Sequence, residues 1–280
     1  MGKIYLFTFC VYIGKHSKDD LLKVLNLFIN SLDKNNNNYE LQIFTNFDLN
    51  LYRKNIIINK YFDNNQNFFN NNWLNLSWNK INIYKYLYDK YNINYLWMDL
   101  DTIVTSNIEY INEVDTYFIT IGGNCQDLHS PFTNDYEKKY LIPTYKYIQG
   151  NVWKLNIDLY NKLISTFNDL NNNGLKLMWD FQTLITYYAY FIINENFEEN
   201  NIYISGVNYK KNVLNGLSIW DEPKKHQHGN LNGLNNLYYE NKLLKSNFYP
   251  DKQIDLVSFT FYTLKQLYNT SKFKELFINN

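Results

Sequence analysis

The stretch Asn94-Tyr95-Leu96-Trp97-Met98-Asp99-Leu100-Asp101-Thr102-Ile103-Val104 decides how the chain is read. A short apolar run ends in two carboxylates one residue apart and then resumes with β-branched residues. Strand side chains alternate between faces, so Asp99 and Asp101 are expected to project the same way from the carboxyl end of a buried strand. Two ionised carboxylates that close repel each other, and burying them without a counter-charge is costly. A hard divalent cation removes that cost, and Mg²⁺ or Mn²⁺ in such a setting commonly holds substrate phosphates as well. The pair therefore points to a metal–phosphate site. A structural acidic turn would use the same residues, and the apolar run in front of them favours the metal.

Working outward, Ile4 to Val11 is a continuous apolar run, the pattern of a strand buried on both faces. Ser17, with Asp20 three residues on, starts a helix in capping-box fashion. Leu21, Leu22, Val24, Leu25, Phe28, Ile29 and Leu32 continue it at helical spacing. Tyr39 to Thr45 is a second strand and Lys54 to Tyr61 a third. Strand, helix, strand with short turns predicts a parallel sheet covered by helices. The Asn-rich segment Asp63 to Asn72 reads as a loop. Leu74, Trp78, Ile81, Tyr84, Tyr88 and Tyr91 mark a long helix that leads into the Asp-x-Asp strand.

Beyond the motif, strands are expected at Asp115 to Ile121, at Tyr145 to Leu155 with an interruption at Gly150, and at Ile202 to Val207. Helices are expected at Asp158 to Leu170, at Phe181 to Ile193 and between Ser258 and Phe277. Asn124 to Pro143 reads as an excursion, and Asp221 to Asn236 as a polar, Gly-containing loop. The fold class is α/β: a Rossmann-like mixed, mainly parallel sheet flanked by helices. One domain over 1–280 is expected, with a ligand-binding half at 1–104 and a second half at 105–280 that ends in a helix.

Composition sets outer bounds. The 280 residues are 45% hydrophobic, with 27 Tyr, 19 Phe and 6 Trp, enough for a sizeable core. Basic and acidic residues balance at 27 each, which argues against a nucleic-acid partner held by a broad basic surface. About one residue in six is Asn, in runs such as Asn35 to Asn38, a bias typical of AT-rich genomes and solvated loops. Cys10 and Cys125 lack metal-ligand spacing, so neither a disulfide framework nor a zinc site is expected. No signal peptide and no membrane span is read, so the expected location is the cytoplasm, or a host's cytoplasm for a viral chain. Asn75-Leu76-Ser77 and Asn269-Thr270-Ser271 match the glycosylation acceptor pattern and would be idle there.

The Asp99-Leu100-Asp101 strand, with its apolar approach and the Thr102-Ile103-Val104 continuation, resembles the DxD strand of GT-A glycosyltransferases, in particular the glycogenin-like and bacterial galactosyltransferases, the blood-group α1,3-transferases and the yeast-type α-mannosyl/galactosyltransferases. Three further stretches resemble segments of those enzymes: Trp78-Asn79-Lys80, Gln149-Gly150-Asn151-Val152-Trp153, and Gly174-Leu175-Lys176-Leu177-Met178-Trp179-Asp180-Phe181-Gln182. His226-Gln227-His228-Gly229 resembles their late His-containing motif. The resemblance implies a GT-A fold and transfer of a sugar from a nucleoside-diphosphate sugar, UDP-linked by expectation, to a saccharide or glycoprotein hydroxyl.

It also implies roles for individual residues. Asp99 and Asp101 would hold Mn²⁺ or Mg²⁺, with His228 completing the shell and Asp99 alternatively binding ribose. Lys80 would face the donor diphosphate, and Gly150 and Asn151 would approach donor and acceptor. Gln182 stands where a carboxylate nucleophile would be needed, so front-face departure and attack with retention fits better than a covalent glycosyl-enzyme. Asp180 would orient the acceptor hydroxyl or act as base, or serve only as a helix N-cap. Thr8, Phe9 and Tyr12, at the carboxyl end of the first strand, are positioned for the nucleotide. Two other readings share these residues: a haloacid-dehalogenase-like phosphatase with Asp99 as nucleophile, and a non-catalytic sugar or nucleotide binder. The phosphatase pattern normally lies on the first core strand with Gly after the second Asp, where this chain has Thr102.

Overall fold

The computed structural model describes residues 2–36, 38–60, 73–113, 116–124, 146–173, 180–188, 202–205, 216–219, 234–247, 253–259 and 261–278. The fold is α/β with a mainly parallel, mixed sheet and flanking helices. The chain divides into two compact units, one of Met1–Tyr61, Met98–Asn112 and Lys210–Asn280, the other of Phe62–Trp97 and Glu113–Tyr209.

In the first unit, β1 (Ile4–Cys10), β2 (Tyr39–Thr45) and β3 (Ile56–Asn59) run parallel in the order β3-β2-β1, with Ile4 opposite Tyr39 and Leu41 opposite Ile56. Helix α1 (Lys18–Asn35) joins β1 to β2. Its N-cap is Ser17, whose hydroxyl accepts from the Asp20 N–H at 3.1 Å. Leu21, Val24, Leu25, Phe28, Ile29 and Leu32 are its buried stripe, the periodicity legible in the sequence. Cys10 is buried, and desolvation pushes its thiol up to about 12, so it behaves as a small core residue.

A three-stranded sheet in the same unit has the order β5-β12-β9, from β5 (Thr102–Val104), β12 (Leu256–Phe259) and β9 (Gly216–Ile219). β12 is antiparallel to β5 and parallel to β9. The hairpin β10 (Leu237–Glu240) and β11 (Leu243–Ser246) turns through Asn241 and Lys242, at φ +53° and +66°. Positive φ at both central residues is what a type I′ hairpin turn demands. Where one terminal helix is expected between Ser258 and Phe277, the chain forms two short ones, whose gap is set by Thr270. Its hydroxyl accepts from the Phe273 N–H and donates to the Leu267 carbonyl, capping the second helix as the first ends.

In the second unit, α2 (Trp73–Tyr91) ends at Asn92, whose positive φ of 53° lets its N–H reach the Tyr88 carbonyl at 2.7 Å. β4 (Leu96–Met98) gives this unit Leu96 and Trp97. The strand order is β4-β7-β6-β8, from β6 (Thr116–Asn124), β7 (Lys146–Lys154) and β8 (Ile202–Ser205), with β6 antiparallel to β7 and parallel to β8. Helices α3 (Ile157–Asn172) and α4 (Asp180–Tyr187) follow β7.

Trp153 is the hub of this core. It is fully buried, with Trp97 at 6.1 Å, Tyr84 at 6.0 Å and Phe181 at 5.0 Å between ring centroids. The Tyr84 hydroxyl donates to the Leu155 carbonyl at 2.9 Å, and burial raises its pKa well above the ordinary tyrosine value. Among the described residues no helix is long and apolar enough to cross a membrane.

Candidate functional site

The two carboxylates do not ride on a strand. β4 stops at Met98, and Asp99, Leu100 and Asp101 form a tight turn closed by the Thr102 N–H donating to the Asp99 carbonyl at 3.1 Å. The chain then enters β5, in a different sheet from β4. Alternation along one strand therefore does not place these side chains. A reversal does, with Leu100 tucked in at 8% exposure while Asp99 and Asp101 are half-buried.

The turn is held rigidly from its downstream side. The Phe259 N–H donates to the Asp101 carbonyl at 3.0 Å, and the Thr102 and Ser258 hydroxyls meet at 3.3 Å in a buried pair. Beyond it, α1 supplies side chains to the backbone of β5. Ser31 Oγ accepts from the Val104 N–H at 3.0 Å while donating to the Phe28 carbonyl at 2.7 Å, and Asn35 Nδ2 donates to the Val104 carbonyl at 2.9 Å. Polar residues on a mostly buried helix face thus satisfy a strand that would otherwise bury unpaired groups. Replacing Ser31 with alanine should leave the buried Val104 N–H without its acceptor and cost about 1–3 kcal/mol, read as a lower denaturation midpoint at unchanged m-value.

At the carboxyl end of β1, Thr8 is fully buried and its hydroxyl has no hydrogen-bond partner among the described residues. Phe9 is half-buried, edge-on to Phe44 at 6.3 Å. Tyr12 is 41% exposed, and its backbone exchanges two hydrogen bonds with the Asn46 side chain, at 2.8 and 2.9 Å, locking the exits of β1 and β2 together. Lys18 Nζ lies 5.6 Å from the Tyr12 ring and 5.5 Å from the Phe47 ring. An aromatic surface and a lysine cation thus crown the end of a parallel sheet, where α/β proteins bind ligands. Lys18, Asn46 and Phe47 escape a motif-based reading. The legible signal was Lys18 at the first helical position, directly after the Ser17 cap.

In the second unit, three of the stretches singled out in the sequence come together. Lys80, on α2, lies 4.7 Å above the Trp97 ring and donates to the Gly150 carbonyl at 3.3 Å. Gly150, Asn151 and Val152 are additional residues on β7: Trp153 pairs with Phe118 and Gln149 with the adjacent Ile119. The irregularity expected at Gly150 is thus a bulge in the β6–β7 pairing. Asn151 is 9% exposed, and its side-chain oxygen accepts from the Val152 N–H at 3.1 Å. Phe181 packs on Trp153 at 5.0 Å, which sets the first turn of α4 against β7. Position 180 opens that helix and position 182 lies in its first turn, while the side chains of Asp180 and Gln182 lie outside the described residues.

His228 also lies outside the described residues. Among those described, no three His, Cys, Asp or Glu side chains are grouped to hold a metal. Asp99 and Asp101 are two hard-oxygen donors on a short, pinned turn, and donors of that chemistry suit Mg²⁺ or Mn²⁺. Comparison of the sequence with protein-family models and with curated proteins finds no match to either.

Proposed function

We propose that the protein is a metal-dependent glycosyltransferase that moves a sugar from a nucleoside-diphosphate sugar, UDP-linked by preference, to a hydroxyl of a glycan or glycoprotein, with retention at the anomeric carbon. The observation that carries this reading is Lys80. Its ammonium group ties the Trp97 ring, two residues ahead of Asp99 in sequence, to the carbonyl of the β7 bulge. An ammonium group held on an aromatic face and a backbone carbonyl carries the positive charge needed to offset a departing diphosphate.

Asp99 and Asp101 would hold Mn²⁺ or Mg²⁺, with His228 as a third ligand; the bound ion would supply Lewis-acid stabilisation to the leaving diphosphate. Phe9 and Tyr12, joined by Lys18, offer a ring and a charge to the nucleotide at the end of β1. Thr8 packs inside the sheet beneath them. Gly150 and Asn151 present a widened strand backbone to the sugars, Gln182 would polarise the anomeric centre through its amide, and Asp180 would orient the attacking hydroxyl.

A thermal-shift panel of UDP-, GDP- and CMP-sugars, each with and without Mn²⁺, tests the reading. A donor at about a hundred times its Kd should add about 2.7 kcal/mol, a rise of several degrees for a chain of this size. Stabilisation by none of the donors would sink it, and metal-dependent phosphate release without nucleotide would favour the phosphatase chemistry at Asp99. Lys80→Met keeps the aliphatic stem and removes the charge. It should cost about 1–2 kcal/mol of stability and lower kcat at least about tenfold while leaving the Mn²⁺ requirement intact.

A further inference from the structure

The first unit contains a cavity of about 840 Å³ bounded by α1, β5, the β10–β11 hairpin and the last helix, and none of the described candidate site residues lines it. Its wall on α1 is a stripe at helical spacing, Lys23, Asn26, Asn30 and Lys34. Lys242 reaches it from the hairpin turn, where its φ is +66°. Tyr239, Tyr268 and Phe277 supply rings, and Leu27, Val104 and Leu276 an apolar floor. No carboxylate lines it among the described residues. Of the acids nearest in sequence, Asp33 pairs with Arg53, Glu240 with Lys245 and Glu275 with Lys272, while Asp20 pairs with Lys265 and also feels the charge of Lys23.

The three lysines are exposed along the cavity, so an anionic ligand that enters it meets an ammonium group at several points along its length. Lys23 and Lys34 are three helical turns apart, about 16 Å along the axis, so the anionic groups must be spread along the ligand and not clustered. Between the two cations stand amides, which both donate and accept as sugar hydroxyls do, and the opposing rings suit the apolar faces of sugar rings. The volume is that of an ordinary ligand site.

We propose that this cavity binds an acidic oligosaccharide, with sulfate or carboxylate groups spaced along its length. The proposal does not rest on the transferase reading, because its probes need neither nucleotide nor metal. Calorimetry on the full chain at low salt would use a heparin-derived tetrasaccharide, a hyaluronan tetrasaccharide, neutral chitotetraose and a uridine tetranucleotide. At least one acidic tetrasaccharide should bind and chitotetraose should not, and comparison of heparin with hyaluronan tells sulfate from carboxylate. The triple variant Lys23→Gln, Lys34→Gln, Lys242→Gln should weaken that binding at least about tenfold. A control with the same charge loss on the second unit, Lys85→Gln, Lys90→Gln, Lys162→Gln, should leave it within about twofold. If the cavity triple melts below the wild type, Lys34→Gln alone carries the comparison, with a loss of about threefold. Absence of acidic saccharide binding, equal loss in both triples, or tighter binding of the uridine tetranucleotide than of either acidic saccharide would overturn the proposal.

Discussion

Trp153→Ala is expected to unfold much of the second unit's core. The side chain is fully buried among Trp97, Tyr84 and Phe181, which come from β4, α2 and α4. Its removal takes away a large apolar surface and leaves a cavity that three separate elements would have to collapse to fill. Truncations of this kind cost about 3–5 kcal/mol, a large share of the 5–15 kcal/mol that holds a typical domain together. The measurement is urea denaturation followed by tryptophan fluorescence and by far-ultraviolet dichroism. A midpoint drop of that size is expected, and a loss below about 1 kcal/mol would show that Trp153 is not the hub. The variant should also loosen the β7 bulge, since Trp153 is the first paired residue after it. Trp153→Phe keeps part of the volume and should recover about half the loss.

The second large effect is expected at Asp101. Its carbonyl accepts from Phe259 on β12, and its side chain stands on the turn that ends β4. Asp101→Asn preserves shape and backbone bonding while halving the charge of the carboxylate pair. Under the proposed function, metal-dependent turnover should fall about a hundredfold or more, while the backbone bonds that hold the turn are kept. A variant equally impaired with and without metal would instead mark Asp101 as a purely structural turn residue.

Much of the first unit was legible because its signals are long. The apolar run of β1, the heptad-like stripe of α1 and the capped start at Ser17 lie where periodicity puts them, and α2 spans the helix read from Leu74 to Tyr91. The acidic pair is legible in the sequence, but it lies on a turn and not on the strand its neighbours suggest. Apolar residues on both sides of Asp99-Leu100-Asp101 look like one strand, and nothing local reveals that the backbone reverses and that β5 pairs with β12, which lies about 150 residues further on. β9, β10, β11 and β12 are not legible in the sequence for a related reason. Each has four residues, too few for alternation to stand out. The break between the last two helices was readable at Thr270, a residue that prefers caps to helix interiors.

The site divides the same way. The resemblance singles out Lys80 and Gly150 as donor-facing residues, and the structure brings them within hydrogen-bonding distance, which no spacing rule shows across that stretch of chain. The Tyr12, Lys18 and Phe47 cluster depends on the pairing of β1 with β2, so only Tyr12 could be singled out by position. The lysine-lined cavity was invisible, because Lys242 comes to it from a hairpin that the sequence did not announce.

The central claim is that this chain cleaves a nucleotide sugar through a metal held at Asp99 and Asp101. It is tested most directly by UDP release from a set of UDP-hexoses, with Mn²⁺ and with chelator, in wild type and Asp101→Asn. The account predicts release by the wild type from at least one donor, lost in chelator and lost in the variant. Release that persists in Asp101→Asn at the wild-type rate, or none from any donor with Mn²⁺ present, would contradict it.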